Sequence, residues 1–280
     1  MKVCCFTNAR DEYFNLPIWA KYYTNQFGPE NCIILDHGSE EAALRNTHGA
    51  SIIRLPISEF DDVRRAQAVR HFAESMLKYY DAIVYTDCDE ILVADPRKYS
   101  GLLEMISKME SDSVTAIGLN VIHDTRTEDP IVDGRSILSQ RKYVQFTSPM
   151  CKTLISKNPI IWGGGFHSSS HPVSFADLYL FHLRAVDFGE SLKRLSITRK
   201  LTWADKNAGL HQRRENASLF ELFGYYSQWP KTEDFSEVEK FKDDVRNGVV
   251  KNPHDHLFYT PLNINVNKLV EIPLWFGEPF

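Results

Sequence analysis

The 280-residue chain lacks any run approaching 18 consecutive apolar residues, which excludes a helix that spans a membrane. Its first twelve residues, MKVCCFTNARDE, lack an apolar segment long enough for a secretory signal, so none is expected. It has no CxxC pair. The five cysteines (Cys4, Cys5, Cys32, Cys88 and Cys151) are odd in number and three lie inside apolar runs, the pattern of thiols used as small hydrophobes in a reducing compartment. It also lacks a charge surplus: 32 basic against 37 acidic residues give a formal net charge of −5, mixed along the chain. That excludes a broad footprint for nucleic acid and leaves room for a local basic pocket around a phosphate-bearing small molecule. Internal repeats and low-complexity segments are absent. A cytoplasmic protein is expected, with peripheral contact at the inner face of the membrane as the one membrane association open to it.

What is there reads as an α/β domain. At 43% apolar and 25% charged residues the composition is ordinary for a globular chain, long enough to bury roughly three quarters of its unfolded surface. Short apolar runs at 2–7 (KVCCFT), 32–36 (CIILD), 51–55 (SIIRL), 82–86 (AIVYT) and 114–119 (VTAIGL) read as strands, several apolar on both faces as helix-covered strands must be. Helices are predicted between them at 16–27, 40–46, 61–80 and 96–109. In the third, Val63, Ala66, Val69, Ala73 and Leu77 recur at three- or four-residue steps. Alternating strand and helix implies a largely parallel, Rossmann-like sheet flanked by helices. The expected organisation is one domain over 1–200, with a nucleotide-binding half to about 120 and an acceptor and metal half from 121, followed by a helical or irregular extension over 201–280 packed on it. Residues 123–148 read as a long functional loop or flap, 177–183 as a strand, and 188–200 and 237–247 as helices.

The strongest motif is YTDCDEIL (residues 85–92), directly after an apolar strand. Ligands of open α/β sheets bind at the carboxyl ends of strands. Alternate residues of an extended segment face the same way, so Asp87 and Asp89, with Glu90 next, can face one site. Two hard oxygen ligands beside open positions suit Mg²⁺ or Mn²⁺ bridging a diphosphate. The plainer reading is a solvated acidic turn. The loop after the first strand, bounded by Phe6 and Asn8 and continuing through Arg10, Asp11 and Glu12, is where a nucleotide usually sits, against the plainer reading of a strand–helix turn. In LDHGS (35–39), Asp36 is the better candidate for contact with a ribose or base, and Ser39 for a helix cap.

Together these blocks resemble the family-2-type glycosyltransferases of the GT-A fold, in the branch reading roughly NE…LPEW, DNGS and DxDEF. Here they stand as DEYFNLPIW (11–19), DHGS (36–39) and DCDEIL (87–92), and order and spacing agree over about the first hundred residues. The resemblance implies a metal-dependent transfer of sugar from a nucleotide-sugar. Asn8, Glu12 and Asp36 would line the nucleotide pocket, Asp87 and Asp89 would hold the metal and ribose, and Arg65 and Arg70 would bind base or diphosphate. A UDP-sugar is expected ahead of a GDP-sugar, although Asp11 and His37 depart from the pattern. The acceptor expected on this resemblance is a glycan or glycolipid in bacterial surface glycan synthesis. FHLR (181–184) looks like the ending of the same branch, which makes His182 the expected third metal ligand and tilts the metal toward Mn²⁺.

The glycine cluster at 163–165 suits close backbone approach to a sugar, and His167 a contact to phosphate or acceptor. The acidic pair common in inverting enzymes does not follow Gly165, which leaves Glu90, Asp124, Glu128, Asp129 and His167 as candidates for the catalytic base. Two rival readings are a metal-dependent nucleotidyltransferase, poorly matched by the glycine-free FTNARDE, and a non-catalytic sugar-nucleotide-binding relative.

Overall fold

A computed structural model describes the chain except Lys206, Ala208, Asn265 and the side chain of His211. The chain opens with β1 (Val3–Ala9), α1 (Asn15–Phe27), β2 (Cys32–Asp36), β3 (Ser51–Arg54), α2 (Asp62–Met76) and β4 (Ala82–Tyr85). These four strands pair in parallel in the order β3-β2-β1-β4. They form the parallel part of the sheet that the first half of the sequence predicts. β1 and β4 are buried almost throughout because helices cover both faces.

α1 explains why the acidic motif is held rigidly. It buries Leu16, Trp19, Tyr23 and Phe27 at helical spacing. Its polar tips then reach the motif: Trp19 Nε1 donates to Thr86 Oγ1 at 2.7 Å, Tyr22 Oη to Leu92 O at 2.7 Å and Tyr23 Oη to Glu90 O at 3.2 Å. α2 is capped by Asp61, whose carboxylate accepts from Val63 N and Arg64 N. Of its expected apolar stripe, Ala66, Val69 and Ala73 are buried, whereas Val63 at the first turn is exposed.

Next come β5 (Glu90–Ala94), α3 (Leu102–Ser107), β6 (Ser113–Ile122), β7 (Tyr143–Phe146), β8 (Thr153–Ser156), β9 (Ser168–Ser169) and β10 (Phe175–His182). The sheet becomes mixed here: β6 runs antiparallel to β7 and β8 and parallel to β10, and β10 antiparallel to β5. The register sets Asn120 of β6, His182 of β10 and Glu90 of β5 in one row. Gly118 of β6 has no room for a side chain, because an added Cβ would lie 2.4 Å from the Met150 carbonyl carbon. That close approach seats residues 147–152 against β6 and brings Lys152 to the row.

The remainder is α4 (Phe188–Lys200), α5 (Asn216–Tyr226), β11 (Lys231–Thr232), α6 (Ser236–Asn247), β12 (Val250–Lys251), β13 (Phe258–Tyr259) and β14 (Leu269–Glu271). β14 joins the main sheet against β7, and Phe276 packs into the core. Residues 201–280 thus supply strands and core as well as helix. The α/β class holds: a central mixed sheet, parallel in its first half, is flanked by helices. No helix among the described residues is long and apolar enough to cross a membrane.

Three local expectations are corrected. The predicted helix at 40–46 is a 3₁₀ turn, Glu41–Leu44. Ser39 caps no helix; its Oγ accepts from Asp11 N at 2.9 Å and ties two loops together. The expected loop over 123–148 divides: residues 143–146 are β7 and Thr147 lines the cavity, whereas among the described residues none of 123–142 does, so that part is no flap over the site. Buried Arg141 fastens the segment instead, donating to Asp129 O at 2.9 Å and pairing with Asp187 at 3.1 Å, while Ile137 N donates to Phe280 O at 2.8 Å.

Candidate functional site

A cavity of about 940 Å³ opens at the carboxyl ends of β1 and β4, where ligands of α/β sheets are held. Asn8, Glu12, Arg65, Asp87, Asp89, Glu90, His167 and His182 all line it. Most of the expected site residues are therefore brought together. Three are not among its lining residues. Phe6 is fully buried, its ring against Phe72 and Tyr85. Arg70 lies well round α2 from Arg65 and pairs with Glu74 at 2.8 Å. Asp36 is buried behind the wall; its Oδ1 accepts from Ser39 N at 2.9 Å, and its Oδ2 lies 3.4 Å from Arg54 Nε.

The two aspartates have different partners. Asp87 Oδ1 accepts from Arg65 at 2.7 Å and from Tyr85 Oη at 2.8 Å. Arg65 packs over Phe166 with its guanidinium carbon 5.0 Å from the ring centroid, and its Nε has no hydrogen-bond partner among the described residues. Asp89 Oδ2 instead lies 3.3 Å from His182 Nε2. Burial alone would raise the Asp89 pKa, but the charge of and hydrogen bond to His182, with Arg184 and Lys152 beyond, hold it well below the usual carboxylate range.

A chain of hydrogen bonds fixes which His182 nitrogen carries its proton. Val266 O can only accept, so Gln145 turns its Nε2 toward it at 3.2 Å. Gln145 Oε1 then accepts from Asn120 Nδ2 at 3.1 Å, which leaves Asn120 Oδ1 to accept from His182 Nδ1 at 2.7 Å. With Nδ1 so occupied, Nε2 faces the carboxylate either as the second N–H of a charged ring, the state whose charge lowers Asp89, or as a lone pair. Two electron pairs at 3.3 Å call for positive charge between them, a proton or a divalent cation. Among the described residues no three His, Cys, Asp or Glu side chains are arranged to hold a metal by themselves. A carboxylate–imidazole pair could hold a divalent cation only with further ligands from water or substrate.

Beneath the aspartates lies a buried ion pair, Lys152 Nζ to Glu90 Oε1 at 2.5 Å. Burial opposes the ammonium charge, but Glu90 and Asp87 outweigh it and keep the Lys152 pKa above its ordinary value. Glu90 is thus engaged as a fixed counter-charge. His167 donates from Nδ1 to Pro149 O at 2.8 Å, leaving Nε2 as an acceptor. Burial and the charge of Lys152 push its pKa down to about 4. An imidazole so lowered is neutral in the fold and charged in the unfolded chain between about 4 and its ordinary 6.5. The unfolded chain therefore binds more protons across that window, and stability falls as pH drops through it. His167→Asn should make that fall shallower than in wild type, as read from urea midpoints at pH 4, 5 and 6.5. Gly165 adjoins this ring in the left-handed region (φ +66°), where a Cβ would meet His167 Nε2 at 2.9 Å.

Of the other candidate bases, Asp124 is bound by Lys231 and Thr127, and Glu128 accepts from Lys142 N at 2.7 Å. Asp124, Glu128 and Asp129 are absent from the cavity's lining residues. Sequence reasoning missed Tyr85, Asn120, Arg184, Arg194 and Arg214. The signal for Asn120 was available: it is a polar residue in the otherwise apolar run SVTAIGLNVI.

No family model and no curated protein matches the chain. Among solved structures it is similar to mannose-1-phosphate geranyltransferase from Thermus thermophilus (12% identity, 80% of this chain and 65% of that one, TM-score 0.31). It is also similar to CMP:2-keto-3-deoxy-manno-octonic acid synthetase complexed with CTP (12%, 79% and 86%, 0.29). A third similarity is to galactosyltransferase LgtC in complex with donor and acceptor sugar analogs (19%, 48% and 54%, 0.24). The chain spans just under two thirds of the first and about half of the third. Likeness of this degree assigns no activity.

Proposed function

We propose that the chain is a metal-dependent glycosyltransferase that moves a sugar from a nucleotide diphosphate sugar, a UDP-sugar ahead of a GDP-sugar, to an acceptor hydroxyl. The observation that carries the reading is the Asp89–His182 pair, a carboxylate and a tautomer-fixed imidazole 3.3 Å apart in the cavity. Asp89 and His182 would hold Mn²⁺ or Mg²⁺, with Asp87 beside them, and the ion would supply charge neutralisation for the departing diphosphate.

The chain's own groups do the rest. Asn8 and Glu12, at the end of β1, line the nucleotide side; Asn8 is braced by donating to Leu35 O at 2.9 Å and Glu12 by Arg194 at 2.5 Å. Arg65, clamped by Asp87, offers guanidinium charge to the nucleotide from a fixed plane. His167, neutral and with its Nε2 lone pair on the cavity, accepts a hydrogen bond from the acceptor hydroxyl. A nucleotidyltransferase would need cationic or glycine-rich cover for a triphosphate after β1. Here Arg10, Asp11 and Glu12 line a turn with no glycine and more acidic than basic charge, which favours glycosyl transfer.

The test is thermal shift with UDP, GDP and CMP, each with and without Mn²⁺. A Mn²⁺-dependent rise with one diphosphate supports the reading, and no response to any of them refutes it. Asn120→Ala tests the positioning chain. Freed from Asn120, the His182 ring loses its fixed tautomer, and Mn²⁺ affinity should fall about 10- to 100-fold, measured by calorimetry with the Mn²⁺–nucleotide pair. Unchanged affinity would show that the chain of amides does not set the imidazole.

A further inference from the structure

β3 is the last strand of the main sheet: among the described residues it pairs with β2 alone. A 3₁₀ turn stands where a crossover helix would follow β2. All four residues of β3 are exposed, Ile52 by 40% and Ile53 by 41%. Successive side chains of a strand face opposite ways, so each face of this edge carries an uncovered isoleucine. Natural sheet edges are usually blunted by charge, proline or a covering element. The single charge of β3, Arg54, is matched within the chain, 2.7 Å from Glu41 and 3.4 Å from Asp36.

The backbone sets what can add to this edge. Leu55 N donates to Asp36 O at 2.8 Å, and Asp36 stands beside Arg54 in the register. Peptide groups alternate in direction along a strand, so those of Ile53 turn to β2 and those of Ile52 and Arg54 turn outward. The outward row stops at both ends: Ala50 N is taken by Thr47 O at 2.9 Å, and Pro56 has no N–H. Two outward residues flanking one apolar residue make a row that an antiparallel copy of itself matches group for group. Ile52 then exchanges both backbone hydrogen bonds with the partner's Arg54, Arg54 does so with the partner's Ile52, and the two Ile53 side chains meet across the axis. Ile57, 67% exposed, adds apolar surface just beyond the strand.

We propose that the chain forms a two-fold symmetric dimer in which β3 pairs antiparallel with β3 of a second copy, about an axis through Ile53. The contact is isologous, so it closes at two copies and leaves no free edge there. It joins the two main sheets and stands apart from the cavity, since among the described residues none of 51–54 lines it. Four backbone hydrogen bonds and a small apolar contact belong to the small, weak class of interface. The proposal does not depend on the glycosyltransferase reading.

The test is sedimentation velocity of the full chain from about 1 to 200 μM, which should show the mass rising from one chain toward two with a micromolar Kd. Ile53→Lys sets like charges face to face and should raise Kd at least about tenfold. A second measurement reads the register. All five native cysteines are buried, so Ile53→Cys adds the one exposed thiol. Directly opposed residues of a non-hydrogen-bonded pair have Cα atoms about 4.5 Å apart, within disulfide reach. Mild oxidation should therefore give a linked dimer on a non-reducing gel. Ser51→Cys should give none, because the register sets the two Ser51 positions roughly 14 Å apart along the strands. Should Ile53→Lys fail to fold, as judged by circular dichroism, the cysteine pair decides. A single-chain mass throughout, a dimer unchanged in folded Ile53→Lys, no link through Ile53→Cys, or Ser51→Cys linking as fast overturns the proposal.

Discussion

Asp89→Asn should reduce turnover of the matching nucleotide-sugar by about a thousandfold and abolish the Mn²⁺-dependent part of the thermal shift. The substitution keeps the shape and removes only the charge. Asp89 is the carboxylate that His182 faces at 3.3 Å, and its backbone is held independently of its side chain, since Leu183 N donates to Asp89 O at 2.7 Å. The variant should therefore fold normally. Asp87→Asn should behave differently: it disturbs the clamp on Arg65 as well as the acidic site, so nucleotide affinity falls together with turnover. Steady-state kinetics read the difference. Turnover in Asp89→Asn within tenfold of wild type would mean that no metal is engaged there.

The second large effect concerns stability. Lys152→Met should destabilise the fold by about 3–5 kcal/mol, because it leaves Glu90 as an unpaired charge beneath two further carboxylates. Both side chains are only 3% exposed, so solvent cannot compensate. Glu90→Gln combined with Lys152→Met should recover much of the loss, since removing both charges leaves nothing to solvate. Urea unfolding of the single and double variants measures it. A loss under about 1 kcal/mol in the single variant would show that the site is wetter, or better able to rearrange, than the ion pair implies.

Much of the scaffold was legible because apolar runs bounded by polar turns leave few choices. CIILD becomes β2 over the same residues, and 188–200 becomes α4 without adjustment. The acidic motif at the end of β4 was legible for the same reason: strand ends in parallel sheets face a common crevice. Arg65 and Arg70 could not be separated in advance, because both lie on α2 and only the sheet beneath decides which one turns toward Asp87. Phe6 illustrates the opposite failure: it shares a face of β1 with Asn8 but lies one pleat further from the strand's carboxyl end, where Phe72 and Tyr85 cover it.

What stayed illegible depends on pairing between distant segments. Asn120 orients His182 only because β6 and β10 run side by side in one register. β5, β8 and β14 are strands because a neighbour offers each a ladder, β10 to β5, β4 and β6 to β8, and β7 to β14. The segment over 123–148 reads as a flap because it is polar, yet among the described residues none of its first part, 123–142, lines the cavity. It is fixed instead by one buried arginine, Arg141, whose partners lie in Asp129 and Asp187. Three arginines that line the cavity lie on separate segments, at 184, 194 and 214, and no spacing rule joins them.

The most direct test is anomalous diffraction from crystals soaked with Mn²⁺ and UDP. A manganese peak within bonding distance of both Asp89 Oδ2 and His182 Nε2, with diphosphate oxygens completing the shell, is the predicted result. A map with nucleotide bound and no manganese at that pair, or with the two side chains turned away from each other into solvent, would contradict the account.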